Sequence, residues 1–246
     1  MNDREKDDQQ TGRILTRREV FTILGTAAGA GIFGYPLAQA SSTASPVPRC
    51  IGRPEQTEGP YFLDTKLNRS DIRSDPSDGS IMDGMPLLLE FHVSQITPRS
   101  CAPLPGAVVD LWHCDALGIY SGVQDPHFNT LGKKFLRGYQ VTDDAGMARF
   151  TTIYPGWYSG RTVHMHFKIR TNPRIQAGSE FTSQLYFDDS VTDHVYTQIP
   201  YSSRGQRMMR NKDDGIFHVG GDHLILALTR DGPGYSAMFE IGLERP

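Results

Sequence analysis

After residue 50 the apolar positions fall in short β-rich runs and lack the three- and four-residue spacing of an amphipathic helix. The runs are PLLLEFHVSQI (86–96), AVVDLWHC (107–114), RGYQVT (137–142), ARFTTI (148–153), TVHMHFKIR (162–170), SQLYF (183–187), HLILALTR (223–230) and YSAMFEIGL (235–243). Between them stand Asp83-Gly84, Asp115 to Gly118, Asp143 to Gly146, Pro155-Gly156, Asn172-Pro173 and Asp231-Gly232, residue types that preset φ or accept a positive one. This spacing predicts an all-β fold, an antiparallel β-sandwich core with long loops. Two polar loops, 64–80 and 201–215, read as surface excursions without a functional part. No repeat and no second compositional zone interrupts 57–246, so one domain is expected there.

The first forty residues follow another pattern. A polar start leads to Arg17-Arg18, then to an apolar run closing on Ala38-Gln39-Ala40. Glycines and a proline weaken that run as a membrane span, and its small terminal residues suit signal peptidase. Residues 1–40 are therefore expected to be an export signal peptide cleaved after Ala40, with no stable membrane insertion afterwards, and 41–56 an N-terminal arm. The segment TRREVF (16–21) resembles a twin-arginine signal, although Val20 stands where that motif usually has phenylalanine. The resemblance implies export of an already folded, metal-loaded protein to the periplasm or beyond.

An oxidising destination permits one disulfide among Cys50, Cys101 and Cys114. Sequence leaves the connectivity open. Proline-rich loop settings favour Cys50 with Cys101, while Cys114 follows the strand-like VVDLWH and reads as a small buried residue. A formal charge of -3 with scattered basic residues gives no footprint for a phosphate backbone, so no nucleic-acid partner is expected.

Candidate chemistry begins at His164 and His166. One residue apart in a predicted strand, they present both imidazoles on the same face, close enough for one metal. Just upstream, IYPGWYSGR (153–161) carries Tyr154, Trp157, Tyr158 and Arg161 in a Pro-Gly turn able to bring a phenol and a guanidinium to that face. Either Tyr154 or Tyr158 fits the phenol. Trp112 and Tyr139 read as packing residues.

Five ordered blocks, TEGPYF (57–62), LPGAVVDLWHCDALGIYSG (104–122), FLRGYQVTDDAG (135–146), FTTIYPGWYSGRTVHMHF (150–167) and SQLYF (183–187), resemble the intradiol ring-cleavage dioxygenases, particularly their exported single-domain branch. The resemblance implies four metal ligands: Tyr120 in the G-x-Y turn, Tyr158 in P-G-x-Y, His164 and His166. It places the active-site arginine at Arg161 and a characteristic glutamine at Gln184, and it sets Gly59 and Tyr61 beside the substrate pocket, with Trp157 as a further wall. It also implies a non-haem iron(III) enzyme that uses O2 to cleave a catechol-type ring between its hydroxyl-bearing carbons, giving cis,cis-muconate-type products. Two phenolates and two imidazoles suit ferric iron, since hard anionic oxygen donors favour the more highly charged ion. Zinc sites of the H-E-x-x-H kind and the two-histidine, one-carboxylate pattern are not apparent. Only 56 - 40 = 16 residues separate the expected cleavage site from TEGPYF, so the helical extension through which cytoplasmic catechol dioxygenases dimerise is not expected. The alternative reading is a secreted β-sandwich that binds phenolics or metal without turnover.

Overall fold

Strand β1 (Pro86–Thr97) shows why the chain folds as sheets: Leu87, Leu89, Phe91 and Val93 are buried, whereas Leu88, on the opposite face, is 45% exposed. The computed structural model describes residues 51–171 and 180–244, which belong to one compact unit. The remaining strands are β2 (Ser100–Pro103), β3 (Val108–Trp112), β4 (Gln124–Asp125), β5 (Phe128–Asn129), β6 (Arg137–Val141), β7 (Met147–Ile153), β8 (His164–Arg170), β9 (Glu180–Tyr186), β10 (Thr229–Asp231) and β11 (Gly234–Glu244). Among the described residues the α-helix is α1 (Asp189–Val195), capped by the Asp188 carboxylate, which accepts from the Ser190 and Val191 amides.

Two sheets carry the architecture. In the first, β11 lies on one edge of β1, while β7 and then β2 share the other edge. The second runs β6-β3-β8-β9 and is antiparallel throughout. Phe91 of β1 and Phe239 of β11 meet Phe167 of β8 at 5.3 and 5.4 Å between ring centroids, joining the inner faces in one core. Each such ring contributes roughly 1.5–3 kcal/mol by burial.

Three expectations need correction. β1 and β11 pair in parallel over ten registered positions, from Leu87 with Tyr235 to Ile96 with Glu244. A strand separated from its partner by most of the domain can return from either end, so antiparallel hairpin logic does not apply. The run HLILALTR is a strand only at Thr229 and Arg230; Gly221–Leu224 is a 3-10 turn, and Ile225 makes a single bridge to Tyr186. Leu224 and Leu226 are buried there, so the apolar pattern reported burial and not ladder pairing. The loops 64–80 and 201–215 are also fastened to the fold. Ile72, Asp75 and Asp214 are buried, and Arg69 donates to the carbonyls of Ser74, Lys134 and Arg137.

Residues 51–56 of the expected arm lie against the domain: the Gly242 amide donates to Ile51, and the Gln56 amide to Thr182. Cys101 is disulfide-bonded and Cys114 is free and buried, while Cys50 lies outside the described residues, as do the expected signal peptide and the Asn172-Pro173 turn. Among the described residues no helix is long and apolar enough to cross a membrane.

Candidate metal centre

Alternation along β8 sends Met165, Phe167 and Ile169 into the core and leaves His164, His166 and Lys168 on the outer face of the second sheet. That face is nevertheless buried, because the segment 57–62 lies across it. Lys168 pairs with Glu58, and its ammonium sits 4.3 Å from the Phe62 ring centroid. A second hydrophobic cluster forms beneath this cover from Trp112, Cys114 and Tyr120, with Tyr61, Phe62, Val123 and Tyr158 packed on it.

Two turns deliver the phenols, and glycine is what lets them meet. Gly118 has φ of +80°, and a β-carbon there would lie 2.1 Å from the Trp157 carbonyl oxygen. A β-carbon at Gly156 would lie 2.4 Å from the Ala116 carbonyl oxygen. Each turn thus presses its bare backbone against the other, which explains the glycine in both G-x-Y and P-G-x-Y. Tyr120 and Tyr158 emerge with ring centroids 5.8 Å apart. Gly59 also has a packing role, since a β-carbon there would stand 3.2 Å from Cε1 of His166.

Four side chains converge. The His164 Nε2 atom is 3.0 Å from the His166 Nε2 atom and 3.0 Å from the Tyr158 hydroxyl. His164 Nδ1 donates to the Thr162 carbonyl at 2.7 Å, which leaves Nε2 as the bare lone pair facing the site. Trp112 stacks flat on His166, 5.2 Å between centroids and 8° between planes, so this packing residue backs the imidazole. Tyr61 covers Tyr120 at 4.6 Å and donates its own hydroxyl to Asp125. The rival phenol goes elsewhere: Tyr154 is buried in the main core, with its hydroxyl 2.6 Å from Thr192 and its ring against Phe187.

Burial drives the ionisation behaviour. It pushes the Tyr120 and Tyr158 phenols up, lowers His164 to about 3 with help from the Arg161 charge, and holds His166 well below the usual imidazole range with help from the His164 charge. Neutral imidazoles are ready ligands. Buried phenols ionise only where a strong cation faces them, and Tyr120 Oη is buried without a hydrogen-bond partner. Two imidazole nitrogens bound at about 2.1 Å to one ion, at a right angle, stand about 3.0 Å apart, the separation of His164 and His166 Nε2. Among the described residues no three His, Cys, Asp or Glu side chains gather around a common point, so a metal here needs the tyrosines. The donor set fits ferric iron.

Arg161 borders this group. Its Nε donates to Asp214 at 2.8 Å, its Nη2 to Gln184 Oε1 at 2.7 Å, and its Nη1 stands 3.3 Å from His164 Nε2. Gln184 in turn donates to the Thr57 carbonyl, and the Tyr186 hydroxyl donates to Gln56. Trp157 is half-buried against the main core, under the guanidinium of Arg204. Sequence reasoning missed Asp214, Tyr186 and Arg137. Tyr186 lies two residues from Gln184 in one strand, and alternation would have placed both on one face. Asp214 sits in a loop read as surface and has no local signal. Arg137 is 2% exposed, donates to the carbonyls of Ser121 and Tyr61, and lies 5.9 Å from the Tyr120 ring centroid, so it ties together the two segments that hold Tyr120.

A dioxygenase family model matches residues 57–216, which takes in Tyr120, Tyr158, Arg161, His164, His166, Gln184 and Asp214. The chain belongs to the intradiol ring-cleavage dioxygenase family. Within that family, it is 33% identical over 214 residues to a catechol 1,2-dioxygenase of Acinetobacter baylyi, covering 78% of this chain and 62% of the relative. A chlorocatechol 1,2-dioxygenase of Pseudomonas putida is 29% identical over 171 residues, covering 61% of this chain and 56% of the relative. The chain thus spans about three fifths of these curated relatives. A solved intradiol ring-cleavage dioxygenase from Tetranychus urticae superposes with a TM-score of 0.68 at 30% identity, covering 79% of this chain and 95% of that one.

Proposed function

We propose that this chain is an exported non-haem iron(III) dioxygenase that opens catechol-type rings between the two hydroxyl-bearing carbons, using O2 and giving cis,cis-muconate-type products. The carrying observation is the convergence of two imidazoles and two phenols from two glycine-locked turns and one strand, with His164 Nε2 3.0 Å from both His166 Nε2 and Tyr158 Oη. The printed names of the relatives support the ring class, the apolar run before Ala40 supports export, and Arg17-Arg18 supports the twin-arginine route.

Tyr120, Tyr158, His164 and His166 would hold the iron. When bound, ferric iron would supply a Lewis acid that accepts charge from the deprotonated diol, which is what would make the ring reactive toward O2. The protein's own groups do the rest. Tyr158 borders the cavity and can accept a proton from an incoming hydroxyl at its Oη. Arg161 is a fixed cation whose fork is held by Asp214 and Gln184, so it is oriented in advance for negative charge developing on the ring. Tyr61 walls the pocket, Trp157, expected as a further wall, packs on the main core instead, and Gly59 lets the covering segment lie close on His166.

Purified iron-loaded protein should show a visible tyrosinate-to-iron band, consume O2 on addition of catechol and form a muconate in equal amount. Tight catechol binding with no O2 uptake would instead indicate a binding protein, and an absent band would remove the metal assignment.

A further inference from the structure

A cavity of about 430 Å³ opens beside Tyr120 and Tyr158. Tyr61, Ile119 and Phe128 give it apolar walls that suit an aromatic ring. Its charged and polar lining comes from Asp125, His127, Ser159 and Arg204. The carboxylate there is already engaged: Asp125 accepts from the Tyr61 hydroxyl at 3.1 Å on one oxygen and from the His127 amide at 3.0 Å on the other.

Arg204 differs. Its Nε donates to the Trp157 carbonyl at 2.9 Å, and its guanidinium carbon lies 5.0 Å from the Trp157 ring centroid. Stacking and that single hydrogen bond fix the plane of the fork. The two terminal nitrogens make no hydrogen bond or salt bridge to any described residue. A planar cation oriented in this way, with a pair of parallel donors free, matches the geometry of a carboxylate. The turn it braces is the one that carries Tyr158, so the receptor and the proposed ligand are set by the same backbone.

We propose that Arg204 is the specificity-determining residue of this pocket, and that the substrate class is a catechol bearing an anionic group, a ring carboxylate above all. The inference rests on the metal-centre reading, which supplies the site for the diol; Arg204 meets the substituent. Because the fork is ordered before the substrate arrives, little entropy is lost on binding.

The test compares 3,4-dihydroxybenzoate with its neutral isostere 3,4-dihydroxybenzamide, and with catechol, on the iron-loaded full chain and on Arg204→Gln and Arg204→Lys. The wild type should favour the benzoate over the benzamide by about tenfold or more in kcat/KM, the worth of one charge-assisted contact. In Arg204→Gln that ratio should fall towards one, chiefly through KM, and Arg204→Lys should recover part of it. A wild-type ratio at or below one overturns the proposal, as does a ratio that Arg204→Gln leaves unmoved. If Arg204→Gln does not fold, the wild-type ratio and its decline with added salt still decide. Catechol turnover without the benzoate preference removes only the role of Arg204, whereas no O2 uptake with any of the three removes the metal-centre reading itself.

Discussion

Asp214 holds Arg161 from 53 residues further along the chain. The carboxylate is almost fully buried, accepts the Arg161 Nε at 2.8 Å, and takes three backbone amides, from Thr162, Ile216 and Phe217. Burial works to raise its pKa, but the Thr162 and Phe217 amides and the Arg161 charge together keep it below the usual carboxylate range. Asp214→Asn removes the charge that orients the guanidinium and, because each carboxylate oxygen accepts two N–H groups, also turns an amide NH2 toward one of those donor pairs. The expected outcome is kcat/KM with catechol lower by about 10- to 100-fold, with iron content and the visible band retained. Loss of the band together with the activity would show that Asp214 serves the fold and not Arg161.

The interlocked turns make a different prediction. Gly118→Ala places a methyl group 2.1 Å from the Trp157 carbonyl and asks alanine to hold a φ of +80°. The turns must part, which moves Tyr120 away from Tyr158. Iron bound per chain, measured by metal analysis after reconstitution, should fall well below one, while the circular dichroism of the sheets persists.

Tyr154 and Tyr158 can be separated by one pair of variants. Tyr158→Phe should shift or weaken the tyrosinate-to-iron band, because it removes one of two phenolates. Tyr154→Phe should leave the band alone and cost about 1 kcal/mol of stability through the lost contact with Thr192. A band altered equally by both would contradict the placement of Tyr154 in the main core.

His113 supplies a pH dependence. It is fully buried and neutral, donating from Nδ1 to the Cys114 carbonyl at 2.7 Å and accepting at Nε2 from Thr152 at 2.7 Å. Burial, reinforced by the charge of Arg137 and opposed by the Cys114 contact, lowers its pKa from 6.5 to about 4. The unfolded chain therefore binds a proton that the folded chain refuses between these values. Stability is intact above pH 6.5 and falls as pH drops towards about 4, by up to about 3 kcal/mol from this residue. Urea unfolding from pH 7 to pH 4 should show a shallower decline in His113→Asn than in the wild type; parallel curves would exclude the linkage.

How much of this was legible beforehand follows from the range of each interaction. The pairing of His164 with His166 depends only on alternation within one strand, and the glycines beside Tyr120 and Tyr158 are local backbone requirements. Tyr120 and Tyr158 as donors came from the family resemblance, but such short-range rules are carried by spacing, so the all-β class, the shared face of the two histidines and the glycine turns were readable from the residues. Contacts between distant segments are not. Whether β11 runs parallel to β1, which phenol near Pro155 reaches His164, which loop supplies Asp214, and that the centre lies outside the sandwich under the segment 57–62 all depend on how the chain closes on itself. The primary structure determined which groups bear the chemistry. Only the tertiary structure decided which of them meet, because burial and long-range packing select among phenols and carboxylates that look alike in sequence.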